Sequence, residues 1–327
     1  RRSLGGVKLA ADLNAVGPVV ATMFFIIITG YIARKLNFIG ETSPKLMSDL
    51  IIRVGQPFMI ISAVLGMPYS DSNLREGLLV LAVGLIVHAV GALLGFLATM
   101  RIKNADARRL TEFAIVFANC GFMGFPLLRA IFGDVGVFWG SFYVIVFNLV
   151  CWTYGQFILS RADSSVKIKP LNIFINFGTV PCVLGLLLYV LRVGDILPAK
   201  ALEAMDYLGS ICTPLSMLVV GGLLATVPLG RLFTEPKIYL LSAVKLLVLP
   251  LVSSVLLALL GFSKEMAMFG AVMASLPTAA NTAILAESYD INPSYAAHTV
   301  GVATLFSVGT IPVSLFLAGK LLDFIFA

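Results

Sequence analysis

The sequence predicts an all-α integral membrane protein of about ten transmembrane helices, each needing ~20 apolar residues to cross the hydrocarbon core. Composition is the first observation. Of 327 residues, 59% are hydrophobic and 12% charged, against roughly 25% charged in an average soluble domain. So few charges cannot cover a water-exposed surface, whereas side chains facing lipid are apolar. A mean hydropathy of +0.99 agrees. The second observation is the regular return of apolar runs of membrane-crossing length. The third is a likeness between the two halves.

In chain order the runs cover residues 14–35, 46–66, 77–99, 110–132, 136–160, 171–191, 202–226, 237–260, 266–287 and 296–325. Polar and turn-forming stretches separate several of them: Glu41 to Pro44, Arg101 to Arg109, Arg161 to Pro170, and Asp195 to Lys200. No loop has the length of a soluble domain. Before the first run, Arg1 to Asp12 reads as a short basic tail. The apolar run that follows it is too long for a signal peptide. The cysteines Cys120, Cys151, Cys182 and Cys212 all fall inside apolar runs, spaced too widely for a metal motif. They read as small buried hydrophobes, and no metal or cofactor is expected.

A net charge of +6 in a soluble protein would suggest nucleic acid. Here the cations gather in short loops, so the lipid bilayer is the expected partner and nucleic acid is not. Loops one, three, five and seven hold Arg34, Lys35, Lys45, Arg101, Lys103, Arg108, Arg109, Arg161, Lys167, Lys169, Arg231 and Lys237. The alternate loops hold Arg75, Arg129, Arg192, Lys200 and Lys264. The positive-inside rule then places the odd loops in the cytoplasm and both termini outside the cell membrane. Arg1, Arg2 and Lys8 oppose that orientation.

An offset of 157 residues carries Lys35 onto Arg192, Asp49 onto Asp206, Pro57 onto Pro214 and His88 onto Lys245. A half with five spans, 1–160, repeats as 161–327 in the opposite sense, because an odd number of crossings inverts the copy. Inverted repeats build many secondary transporters, with the site where the repeats meet near the midplane.

Span four holds Asn119-Cys-Gly-Phe-Met-Gly-Phe-Pro126, and span nine holds Pro277-Thr-Ala-Ala-Asn-Thr282. Proline removes a backbone donor and clashes with the preceding turn, and glycine loosens the helix further. Backbone freed inside a bilayer is tolerated where it lines a cavity. Interrupted helices at corresponding places in two halves point to a transporter site. The half-helices starting at such breaks aim positive dipole ends inward, which favours an anion. The alternative is a pair of proline-kinked structural helices whose asparagines satisfy freed backbone groups. The candidate substrate residues are Asn119, Cys120, Gly121, Met123, Gly124 and Pro126 on span four. On span nine they are Pro277, Thr278, Asn281 and Thr282.

The run Asn119 to Gly133 resembles the fourth-helix motif of the auxin efflux carrier family. The run Leu276 to Tyr289, followed by Asn292-Pro293 and small residues toward Pro312, is similar to that family's ninth and tenth helices. The resemblance covers the whole ten-span layout. It implies a scaffold of spans 1, 2, 6 and 7 and a mobile bundle of spans 3–5 and 8–10. It also implies that helices four and nine break and cross beside the substrate. Members move organic anions, auxin in plants and malonate or malate in bacteria, and the resemblance implies a homodimer through the scaffold. Plant members carry a second proline where this chain has Thr282, and a long central loop where it has the short Arg161 to Pro170. The chain therefore looks like a bacterial-type member, with a small carboxylate as the expected substrate.

Ionisable residues within spans are costly and face protein or water. Asp49 and Arg53, four apart on one helical face, can pair. Asp206 reads as solvated near a span end. His88 and Lys245 lie deeper. Lys245 can snorkel, counter a carboxylate or neutralise the substrate; His88 is either a hydrogen-bonded structural residue or a titrating one. Glu112, Arg129 and Glu287 read as interfacial. No His-Glu-x-x-His, Walker or Gly-x-Ser-x-Gly motif is present, so no enzyme is expected. The rival reading is a sodium- or proton-coupled carrier of bile-acid-symporter-like architecture. An antiporter of that kind would want carboxylates at the crossover.

Overall fold

In the computed structural model, residues 9–161, 179–226 and 236–327 are described. Helices account for nearly all of them, and six helical runs among them are long and apolar enough to cross a membrane. In order, the helices are α1 (Leu9–Lys35), α2 (Ser43–Leu65), α3 (Asp71–Thr99), α4 (Ala105–Val116) and α5 (Cys120–Ser160). There follow α6 (Thr179–Val190), α7 (Ala199–Leu224), α8 (Ile238–Leu259), α9 (Lys264–Ser275), α10 (Asn281–Ser288) and α11 (Pro293–Ile325). The chain is an integral membrane protein. Arg1, Arg2, Lys8, Lys167, Lys169 and Arg231, the start of the sixth expected span, and the side chains of Lys237 and Glu287 lie outside the described residues.

Several helices begin earlier than hydropathy predicts, because a polar cap rather than an apolar residue starts them. Asn104 Oδ1 accepts from Ala107 N at 2.9 Å, so α4 starts at Ala105 instead of 110. Ser70, Ser263 and Asn292 cap α3, α9 and α11 in the same way. Each such cap satisfies a backbone donor that helix geometry leaves free. Within α5, Gly133 adopts φ 66° and ψ −152°, which turns the chain between the fourth and fifth expected spans. A side chain there would be strained.

Widened turns, one residue looser than α-helix, occur at Ile51–Gly55, Cys120–Gly124, Cys151–Gly155 and Val244–Val248. Three of them lie just ahead of Pro57, Pro126 and Pro250. The proline ring clashes with the carbonyl one turn back and removes a donor, and the widened turn absorbs both defects.

Two sets of neighbours emerge. Helix α7 packs along α1 and α2, and α2 also packs on α6. Helices α3, α4, α5, α8, α9 and α11 pack among themselves. All four cysteines are buried, as expected. Glu112 is buried within the protein. Its side chain is 0% exposed, and both oxygens accept from Arg161 at 2.6 and 2.8 Å. Tyr154 adds a third bond to it. Arg129 is ion-paired as well: it donates to Asp206 at 2.8 Å and pairs with Asp134 at 3.2 Å. Asp206 is half-exposed and ion-paired rather than simply solvated.

Candidate functional site

The helix of span four stops at Val116 and restarts at Cys120; that of span nine stops at Ser275 and restarts at Asn281. The two interruptions lie side by side. Asn119 N donates to Pro277 O at 2.8 Å and Ala279 N donates to Phe117 O at 2.9 Å, a two-bond antiparallel bridge between Ala118 and Thr278. Each break thus satisfies backbone groups of the other, as an interior without water requires. Thr278 Oγ1 donates to Ala114 O at 3.1 Å and ties the second break to the end of α4.

Beside this bridge lies a cavity of about 260 Å³. Its wall takes Ile52 and Gln56 from α2, Ala118 to Phe122 from the first break, and Ala279 to Asn281 from the second. Val144, Phe147, Asn148 and Trp152 close it from the second half of α5. Three of the four widened turns therefore contribute to the wall: Ile52, Cys120 to Phe122, and Trp152. Helices α5 and α10 both begin at the wall. The first N–H groups of a helix have no intrahelical acceptor and carry partial positive charge. Asn119 Oδ1 is spent on one of them, accepting from Phe122 N at 3.2 Å. Its amide nitrogen remains the donor end.

Of the candidates read from sequence, Asn119, Cys120, Gly121 and Asn281 are on the wall. Gly124 stands behind it, where a Cβ would approach Leu276 at 3.1 Å. Pro126 is buried in α5, and Thr282 is buried with its hydroxyl unpaired. Pro277 and Thr278 hold the bridge, and Met123 faces a separate small apolar gap beside Met23, Ile27 and Ile311. Asp49 and Arg53 are far less buried and 3.9 Å apart, a loose surface pair. His88 and Lys245 are both buried.

Sequence reasoning missed Gln56, Asn148, Phe147 and Trp152. A signal existed for the amides, which are polar residues inside apolar runs, Gln56 directly before Pro57. None existed for the aromatics, in a chain with 23 phenylalanines. The wall is unusual in its chemistry. It presents four carboxamides (Gln56, Asn119, Asn148, Asn281) and three aromatic rings, and none of its described residues is ionised.

A family model described as membrane transport protein matches residues 15–176 and 165–315, nearly the whole chain. The chain belongs to that family. It is the auxin efflux carrier family that the motifs around Asn119 and Asn281 resemble. A Rhizobium meliloti protein named "Putative malonate transporter" is 26% identical over 310 residues, 91% of this chain and 94% of its own. A protein of Methanothermobacter thermautotrophicus, named an uncharacterized transporter, is 22% identical over 298 residues, 90% of this chain and 95% of its own. A similar transporter of Methanocaldococcus jannaschii is also 22% identical, over 299 residues.

Proposed function

We propose that this membrane transport protein is a secondary carrier for a small organic anion, bound at the paired helix breaks. The observation that carries the reading is the cavity wall: two helix N-termini and four carboxamides meet there without an ionised side chain. Such a set offers donors to a carboxylate and gives a cation little to hold. A volume of about 260 Å³ lies just under the ~300–1,000 Å³ of ordinary ligand pockets, which suits a small acid.

In this reading the chain crosses the cell membrane ten times as two inverted repeats, with both termini outside. Helices α1, α2, α6 and α7 form the scaffold, and the remainder moves as an elevator carrying the crossover. The contact pattern supports that division, since each set packs chiefly within itself. A dimer would form through the scaffold. The sodium-coupled alternative is less favoured, because the described wall has no carboxylate to ligate the ion.

The relative named for malonate makes malonate the first acid to test. Proteoliposomes loaded with unlabelled malonate, malate or an aromatic acid should accumulate the corresponding labelled acid by counterflow, without a sodium requirement. Asn119→Ala and Asn281→Ala should each lower that rate at least ~100-fold, the loss expected when a preorganised oxyanion donor is removed, while inserting and purifying normally. Normal counterflow by both variants would remove the site from the breaks.

A further inference from the structure

Two ionisable side chains buried among the helices around the breaks have bonding capacity unused. Lys245, on the widened turn Val244–Val248, is 1% exposed, and its Nζ has no hydrogen-bond partner among the described residues. His88 of α3 is also buried; its Nδ1 donates to Gly84 O at 2.7 Å and its Nε2 has no partner among the described residues. The imidazole packs on Phe117 at the first break and on Phe147 of the cavity wall, at 6.0 Å between ring centroids in each case. The turn carrying Lys245 packs on α3, which bears His88, and on α4, which ends at the first break.

No counter-ion for that amine is present among the described residues. The turn carrying Lys245 packs on α3, α4, α9, α11 and the rest of α8. Helix α3 presents His88, with Tyr143 of α5 stacked on it at 5.3 Å. The carboxylates of α4 are both engaged, Asp106 with Arg109 and Glu112 with Arg161 and Tyr154. On α11, Tyr295 pairs with Thr111, and His298 is a further imidazole with an unpaired nitrogen. Helix α9 has its charges, Lys264 and Glu265, at its first turn, and Lys264 is bound to Asp323.

We infer that Lys245 couples transport to protons: its amine gains one proton when a carboxylate enters the cavity and loses it when the carboxylate leaves. This rests on the anion-carrier reading above. A buried ammonium without a counter-ion is expensive at membrane depth, so the empty carrier holds the amine neutral. A carboxylate at the breaks supplies the missing opposite charge through the low-dielectric interior, and a proton from the open side then forms the ammonium. One N–H bond is made on loading and broken on release. Amine, proton and a monocarboxylate together carry no net charge, so a bundle loaded with a monoanion such as benzoate crosses without working against the membrane potential. Lys245 rather than His88 takes the proton, because an alkylamine is intrinsically a far stronger base than an imidazole.

Calorimetric titration of the full chain in detergent, in two buffers of different ionisation enthalpy, counts protons directly. The probes are malonate, malate, benzoate and indole-3-acetate. The expected result is uptake of about one proton per bound anion, retained in His88→Gln. Lys245→Met should bind at least ~10-fold more weakly, as when one member of a close charge pair is removed, and take up no proton. Anion binding without proton uptake overturns the inference and leaves the carrier reading intact. So does uptake that survives Lys245→Met but is lost in His88→Gln. Failure of every acid to bind overturns the carrier reading, and this one with it. Should Lys245→Met not fold, the proton count of the unmodified protein decides, together with its transport of a monoanion, benzoate or indole-3-acetate, under an imposed potassium diffusion potential. A rate unchanged by that potential supports the coupling, and a rate that follows it refutes it.

Discussion

Valine at position 221 will leave α1 and α7 unable to close, and the protein should lose its folded, monodisperse form in detergent. A Cβ on Gly221 would stand 2.0 Å from Ile27 O and 2.7 Å from Tyr31 N. The approach is mutual, since a Cβ on Gly30 would stand 2.4 Å from Leu218 O. Both obstacles are backbone, which cannot rotate aside as a flexible side chain can. Helices in a bilayer gain little from burying apolar surface against one another, so close backbone packing must hold this pair. Overpacking of this kind costs about 3 kcal/mol or more. Size-exclusion chromatography and thermal melting of the purified variant will show it. Gly222→Ala is the control: its Cβ would meet Pro44 at 3.7 Å, an ordinary contact. A Gly221→Val protein that melts like the unmodified one would mean that these helices do not pack as described.

Removing the guanidinium that answers Glu112 should be nearly as damaging. Arg161 stands at the end of α5 and gives two bonds to a carboxylate that is 0% exposed. In Arg161→Met that carboxylate keeps the Tyr154 bond alone. Stranding a buried charge in this way costs about 3–5 kcal/mol. Replacing both partners, Arg161→Met with Glu112→Leu, should recover most of the loss, because an apolar pair of similar volume has no charge to desolvate. Denaturation of the two single variants and the double variant, read as a thermodynamic cycle, measures the coupling. A double variant no more stable than Arg161→Met would show that the damage lies elsewhere. The pair joins the start of the fourth span to the end of the fifth, so it holds the backbone that leads into the first break.

The halves of the site differed in how plainly the sequence showed them. Asn119, Gly121 and Asn281 were legible because proline, glycine and small residues inside an apolar run have few structural explanations, and cavity-lining backbone is one. Gln56 and Asn148 were less so, though an amide within a span already carries a cost that demands a partner. Phe147 and Trp152 had no signal at all, since an aromatic in a membrane span reads equally as lipid-facing, core or wall. Glu112 gave no sign in the sequence of its burial or its partner. Hydropathy places charges by their depth along a span, and it cannot see that Arg161, 49 residues later, returns to the same level.

By itself the sequence determined that the chain lives in a membrane, roughly where its helices run, and that two of them must break. These are one-dimensional facts: apolar length against bilayer thickness, and proline against a helical hydrogen bond. Tertiary structure alone decided that the breaks satisfy each other's backbone through Asn119, Pro277, Phe117 and Ala279, and that α2 and α5 close a charge-free cavity beside them. It also buried Lys245 on a turn that packs against α4, the helix that ends at the first break. Those outcomes depend on which faces of distant helices meet, and composition carries no record of that.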